Sequence, residues 1–432
     1  MYNFKREVPQ GVNDELSDYY EIKDKLILEI KNIFKSYGYK QICTPTIEYL
    51  DVFSRIGSTV IKDEMFKLID SSGEILVLRP DMTVPITRMV TSRKKFNDDL
   101  LKYFYVSKVY RMNKNHQGKR REITQAGIEF FGNEKLDADG EVIAIAIKTL
   151  LNEVSDFHIE IGHTDFYKGL FEEVNADNNI KSQLKKLIEN KNFTEIERFL
   201  EKLNIREDVK DILVKVPGLY GDFENIIDKA KEMCLNKKME KALEDLKSVY
   251  EILKDYGYSN FVSVDLGLIN YLDYYTGIIF KGYMANYGQI ILSGGRYDKL
   301  TKEFGHSIPA TGFGINIDEL LRGLLTINKL KHKRYYTDYL ILYTPKNRRE
   351  VFQIAEKLRK NAFIVETRLL NKRFKDYINY ASANRVRWVM KYSDERVIVI
   401  DNKKNSSETI NTRRFIKEID TKENQNLVMP IH

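Results

Sequence analysis

LKYFYVSKVYRMNKNHQGKRREITQAGIEFFG, residues 101–132, contains two runs rich in aromatic and β-branched residues with a polar, glycine-bearing loop between them. That pattern predicts two strands joined as a long antiparallel hairpin. Side chains alternate along a strand, so Gln125, Gly127 and Glu129 are expected on one face, with the amide and the carboxylate projecting into one cleft. Such a pair suits a ligand that both donates and accepts hydrogen bonds, such as an ammonium or an imidazole.

Upstream, the chain reads as mixed α and β. From Asp14 to Ser36, Tyr19, Ile22, Leu26, Ile27, Ile30 and Ile33 recur at helical spacing, and Gly38 stands where a left-handed cap belongs. Pro45 biases Thr44 toward extended backbone, so YKQICTPTIEYLDVF does not continue that helix. MFKLID and EILVLRP read as short strands around the turn SSG. Downstream, a helix is expected over Asp139–Glu153 and a buried strand at FHIEIGH. Residues 166–256, rich in Lys, Glu, Leu and Ile at helical spacing and broken at Gly218 and Gly221, read as a helical insertion. Strand signals return at FVSVDLG, YYTGIIFKGYM and QIILSGG, ahead of a helix over Asp318–Leu325. Beyond the linker KLKHKRYYTDY, strands and helices alternate: YLILYT, Arg348–Lys360, FIVETRL, Lys375–Asn384, VRWVMKY and RVIVID. This predicts a small separate α/β domain over 335–432, with about 25 polar, poorly ordered residues at its end.

Composition narrows the class. A chain of 432 residues has room for about two to four domains, and a 43% hydrophobic content excludes wholesale disorder. No apolar run approaches the roughly 18 residues of a membrane span, and MYNFKREVPQ lacks the apolar centre of a secretory signal. Cys43 and Cys234 stand alone, which argues against a disulfide framework or a structural zinc. A soluble, cytoplasmic protein without a metal is the expectation. The formal charge of +7 is concentrated: residues 335–400 hold 14 basic against 7 acidic side chains. A basic module of this kind meets RNA or an acidic protein surface, or is simply a solvated face.

The densest polar groupings are RPDMT (Arg79, Asp81, Thr83), the segment from Arg111 to Glu129, LDYYTG (Asp273 to Gly277) and SGGRYD (Ser293 to Asp298). In the last, SGG lets backbone approach a ligand closely ahead of Arg296. Taken singly, each cluster also fits the solvated face of an amphipathic sheet. His163 reads as a core or interface residue and Trp388 as core.

In order and spacing the clusters resemble the histidyl-tRNA synthetase lineage of class II aminoacyl-tRNA synthetases, from QGVND near Gln10 to GFGINIDEL near Leu320. TPTIEYLDVF is similar to the dimer-forming first motif, Arg111 and the loop to REITQ to the second, and PATGFGINIDELL to the third. LDYYTG and SGGRYD resemble the two histidine-specific segments, and the C-terminal module resembles, more weakly, the anticodon-binding domain. The resemblance implies an α+β fold: an antiparallel sheet flanked by helices over residues 1–327, with the insertion inside it. It also implies a histidine pocket. Asp81, Thr83 and Gln125 match positions that hold the α-ammonium, with Asp81 standing for a longer Glu. Glu129 and Tyr275 match positions that read the imidazole, Tyr274 and Tyr297 are further pocket tyrosines, and Arg111 meets the carboxylate.

Three departures bear on activity. Glu319 stands where the third motif has a phosphate-binding Arg, Asn270 where another Arg polarises the reacting groups, and Asn113 where the second motif has Glu. Losing one preorganised cation costs about 10²–10³ in rate, and a carboxylate about 4 Å from phosphate charge costs about 4 kcal/mol at an effective dielectric near 20. A kept histidine seat beside a dismantled nucleotide site, together with ITQAGIE and IGHTDFY, resembles the ATP phosphoribosyltransferase regulatory subunit family of histidine biosynthesis. That resemblance implies a non-catalytic, allosteric chain with no catalytic residues and no cofactor of its own. It implies a short-form catalytic ATP phosphoribosyltransferase subunit as partner, in a hetero-octamer built on a dimer, with histidine as feedback effector. The alternatives are a divergent histidyl-tRNA synthetase and an RNA-binding regulator using Arg348, Arg349, Lys372 and Arg373.

Overall fold

A computed structural model describes residues 7–54, 64–92, 100–112, 120–174, 176–268, 274–327 and 336–421. Two compact units are resolved, residues 1–330 and 331–432. Among the described residues no helix is long and apolar enough to cross a membrane.

The hairpin of residues 101–132 forms as Leu101–Tyr110 and Glu122–Phe131, paired antiparallel in full register. It belongs to a nine-stranded sheet. From edge to edge this runs Lys40–Gln41, Leu101–Tyr110, Glu122–Phe131, Ala310–Asn316, Ile290–Arg296, Ile278–Met284, Phe157–His163, Val262–Asp265 and Tyr220–Gly221. Its pairings are antiparallel except where Lys40–Gln41 meets the hairpin and where Phe157–His163 meets Val262–Asp265. Both faces are covered. Phe104, Ala126, Ile128 and Phe130 face one apolar cluster shared with the helices Ser17–Ser36 and Leu136–Glu153. Tyr103, Tyr105 and Phe131 point into a second, with Met82, Val84, Tyr275 and Tyr297. Gly38, at φ +83°, ends Ser17–Ser36 in the left-handed conformation the sequence implied.

A small antiparallel sheet orders Ile47–Tyr49, Ile75–Leu78 and Lys67–Ile69. It leads into a helix, Thr83–Thr91, that the strand-rich reading of this region did not include. Pro85 obscures it, yet a proline within the first helical turn sacrifices no intrahelical hydrogen bond. The insertion is helical from Thr164–Glu172 through Lys237–Asp255 and lends the two-residue edge strand Tyr220–Gly221 to the sheet. His163 is buried at its start, with Nδ1 accepting from the Asp165 N–H at 3.1 Å and Nε2 3.6 Å from Asp245. It is a tie between strand and insertion.

The second unit has a five-stranded sheet in the order Val365–Leu369, Thr337–Tyr343, Val386–Tyr392, Arg396–Asp401 and Ser406–Asn411. Trp388 is buried against Tyr339, centroids 4.8 Å apart, and donates to Asp401 at 3.2 Å. The expected disorder fails over the first part of the tail, while residues 422–432 lie outside the described residues. Ser406–Asn411 is a strand and Thr412–Thr421 a helix, anchored by buried Ile410, Thr412 and Phe415.

Candidate functional site

The face of the hairpin bearing Gln125, Gly127 and Glu129 is roofed by the start of Thr83–Thr91 and by residues 274–297. Glu129 lies at the centre, 1% exposed. Its Oε1 accepts from the Thr83 hydroxyl at 2.8 Å, and its Oε2 accepts a short hydrogen bond from the Tyr297 hydroxyl. Burial raises its proton affinity, outweighing those two bonds, and the nearby Asp81 carboxylate raises it further. The carboxyl therefore titrates at about 8 instead of 4.5. Near neutrality it holds its proton in the empty site.

Tyr274 and Tyr275 are buried beside it, ring centroids 4.8 Å apart and hydroxyls hydrogen-bonded to each other, with Tyr274 edge-on to Tyr297 at 6.1 Å. Asp81 accepts from the Val84 N–H at 3.0 Å, so one of its oxygens fastens the helix start that carries Thr83. Arg111 donates through Nε to the Pro80 carbonyl at 2.8 Å, which draws it toward the same corner. Gln125 is half-buried. Its Oε1 has no hydrogen-bond partner among the described residues.

Room for these side chains comes from the neighbouring strand. Gly312 pairs with Glu129, and Gly314 lies two residues on, on the same face. A Cβ at Gly312 would lie 2.2 Å from Glu129 Oε2, and one at Gly314 would lie 2.0 Å from Gln125 Nε2. Sequence reading missed these glycines and also Tyr105. The Tyr105 phenol is fully buried, and burial together with the fields of Glu129 and Asp81 holds its proton well above the ordinary range. The hairpin register, which sets Tyr105 opposite Gly127 and Tyr103 opposite Glu129, was the signal available.

SGGRYD divides differently from the expectation. Gly294 and Gly295 allow close approach of other strands, not of a ligand: a Cβ on Gly294 would lie 2.4 Å from the Gly312 carbonyl and one on Gly295 2.5 Å from that of Ile278. Arg296 turns into the protein, bonding Asp139 at 2.6 and 3.0 Å and the carbonyls of Asn133 and Lys135 at 3.1 Å. Of that cluster, Tyr297 alone reaches the pocket.

Asn113, Asn270 and His116 lie outside the described residues. Glu319 is in the first turn of Ile317–Thr326, where it accepts from the Tyr287 hydroxyl at 2.6 Å and from Arg322 at 2.9 Å. Its neighbour Asp318 is 1% exposed. It accepts from Lys23 Nζ at 2.8 Å, Arg120 Nη1 at 2.9 Å and the Thr124 N–H at 2.7 Å, while Glu15 binds the same two cations at 2.8 and 2.9 Å. Cations that border the second-motif loop are thus matched by the chain's own carboxylates.

Comparison with known proteins agrees with this geometry. A family model described as histidyl-tRNA synthetase matches residues 11–320. An ATP phosphoribosyltransferase regulatory subunit of Acetivibrio thermocellus is 38% identical over 93% of this chain and 96% of its own length. One of Clostridium kluyveri is 40% identical over 85% of this chain and 94% of its own. A crystal structure described as an ATP phosphoribosyltransferase regulatory subunit/histidyl-tRNA synthetase from Bacillus halodurans C is 33% identical and superposes with a TM-score of 0.80, covering 90% of this chain and 98% of that one. With a class II synthetase-like core and kinship across nearly its whole length, the chain belongs to the ATP phosphoribosyltransferase regulatory subunit family.

Proposed function

We propose that this chain is the non-catalytic regulatory subunit of ATP phosphoribosyltransferase in histidine biosynthesis, acting with a separate catalytic subunit of the short form. Free histidine binds the pocket around Glu129 and transmits feedback inhibition. The observation that carries this reading is the pairing of a preserved polar pocket with a neutralised nucleotide corner. Glu129 is poised by Thr83 and Tyr297 to meet an imidazole, and the Gln125 Oε1, without a partner among the described residues, can accept from an α-ammonium. Asp81 and Arg111 complete the ammonium and carboxylate ends. Glu319, by contrast, puts an acid where the synthetase motif has a cation for adenylation.

Regulation is then linkage. Histidine favours one state of the complex, and a coupling of about 1–3 kcal/mol changes the partner's activity or affinity by about 5–150-fold. The dimer forms through the outer face of the small sheet, where Ile47, Tyr49 and Leu68 are 46, 56 and 41% exposed. Two such dimers and their catalytic partners give the hetero-octamer, in the cytoplasm. The test is reconstitution: the chain is mixed with a short-form catalytic subunit, and phosphoribosyl transfer is measured with and without histidine. Activity that depends on this chain and falls with histidine supports the proposal; histidine-dependent exchange of pyrophosphate into ATP by this chain alone would instead establish the synthetase reading.

A further inference from the structure

Thr164 and Lys168 stand four residues apart, on one face of Thr164–Glu172, the first helix of the insertion. The Thr164 N–H, one of the donors a helix start leaves without an intrahelical partner, goes to the Gly277 carbonyl at 3.0 Å. The Lys168 ammonium donates to the Tyr275 carbonyl at 2.9 Å. Between those two carbonyls, the Thr276 N–H donates to the Arg296 carbonyl at 2.9 Å, and the Thr276 hydroxyl accepts from the Asp298 N–H at 3.2 Å. The backbone that carries the pocket tyrosine is thus strung between the insertion helix and the end of the strand Ile290–Arg296.

Lysine is a costly residue for holding a neutral carbonyl. The Lys168 side chain is 26% exposed, with the Asp165 carboxylate 3.7 Å from its ammonium. Burial holds its proton affinity below the usual lysine range, against the pull of Asp165. An apolar side chain of similar length would fill the position without that desolvation. What the ammonium adds is a charge-assisted bond to the peptide group of Tyr275, whose ring is buried in the pocket around Glu129. The helix that bears Lys168 is itself tightly seated. Asn236 donates to the Gly169 carbonyl at 3.0 Å, a Cβ on Gly169 would lie 2.8 Å from the Met239 side chain, and His163 Nδ1 accepts from the Asp165 N–H. A shift of the Tyr275 peptide therefore moves a packed helix instead of dissipating in a loose one. We propose that Lys168 is a positioning residue that fixes the Tyr275 wall of the pocket, and that through it the helix Thr164–Glu172 carries the pocket's occupancy into the insertion. The transmission, unlike the anchor, rests on the histidine reading above.

The experiment is amide hydrogen exchange, read by mass spectrometry on the full-length chain, with calorimetry of histidine binding beside it. Three proteins are compared: the wild type, Lys168→Met, which removes the donor and keeps the length, and Lys238→Met, which breaks the pair with Glu172 and leaves Tyr275 untouched. Melting temperature is the folding control, and Lys168→Gln replaces the methionine variant if that one does not fold. Without histidine, Lys168→Met should speed exchange of the peptide containing Thr276 by about tenfold, whereas Lys238→Met should not change it; equal exchange in wild type and Lys168→Met overturns the anchor. Histidine should slow exchange over residues 164–172 in the wild type. Lys168→Met should bind histidine about tenfold more weakly and, once saturated, show no such slowing. The same slowing in saturated Lys168→Met, or none in the wild type when histidine binds, overturns the transmission alone. If histidine binds none of the three proteins, the transmission falls with the histidine reading, and exchange at Thr276 still decides the anchor.

Discussion

Glu129→Gln separates the pocket's electrostatics from its shape. The wild-type carboxyl titrates at about 8 when folded and 4.5 when free of the protein. Between those pH values the unfolded chain has released a proton that the folded chain retains, so stability falls as pH rises through this window and levels off above it. At about 1.4 kcal/mol per tenfold in proton affinity, the full penalty is on the order of 5 kcal/mol. The amide is neutral throughout and remains an acceptor for the Thr83 or Tyr297 hydroxyl, so the variant escapes the penalty. Urea denaturation followed by near-ultraviolet circular dichroism should find the two proteins alike at pH 5, with the variant more stable by several kcal/mol at pH 9. Histidine binding should move the other way. Losing a charge-assisted hydrogen bond of about 1.5–3 kcal/mol weakens it at least tenfold by calorimetry at pH 8.5, where the wild-type carboxyl is mostly ionised. A stability difference that is the same at pH 5 and pH 9 would refute the argument, because the carboxyl would then not be the group whose proton the fold retains.

Other consequences are equally open to measurement. Histidine binding to the wild type near pH 7 should shift the Glu129 proton, so the observed heat should depend on the ionisation enthalpy of the buffer; buffer-independent heats would count against it. Gly312→Ala sets a methyl 2.2 Å from Glu129 Oε2, and should cost about 1–3 kcal/mol of stability from overpacking and abolish histidine binding. Asp318→Asn removes one of the two acceptor charges shared by Lys23 and Arg120, with Glu15 still pairing both; a loss of about 1.5–3 kcal/mol is expected in the urea midpoint analysis. Ile47→Asp with Tyr49→Asp should halve the molar mass seen by light scattering, and an unchanged mass would place the dimer contact elsewhere.

Much of this was legible in the chain because local and global signals agree. The hairpin's two runs are strand-forming by composition, and alternation alone put Gln125 and Glu129 on one face. The helix over Arg348–Lys360 ends where its apolar spacing does. What stayed hidden depends on partners distant in sequence. Gly312 and Gly314 carry no pocket role until the register sets them opposite the polar pair, and the strand Ala310–Asn316 that carries them has too little side-chain bulk to announce itself. Nothing local to SGGRYD tells that Arg296 turns inward to Asp139, brought from a helix start distant in sequence, while Tyr297 faces the pocket. The terminal helix Thr412–Thr421 shows only a sparse apolar stripe, and it holds because Phe415 finds a core already built by the other strands. Glu129's retained proton is a property of enclosure, which no short window of sequence encodes.

The helical cassette leaves the large sheet after Phe157–His163 and rejoins it at Val262–Asp265, two strands that lie side by side and run the same way. Parallel neighbours cannot be joined by a tight turn, so the chain leaves at His163 and must cross back to the start of the next strand at Val262, and the cassette serves as that crossover. Because each doubling of a closed loop costs only about 0.6 kcal/mol, lineages that share this core can enlarge, trim or exchange the cassette cheaply. The pocket around Glu129 is built on the hairpin, on the other side of the central strands, and the cassette reaches it through Lys168, which donates to the Tyr275 carbonyl.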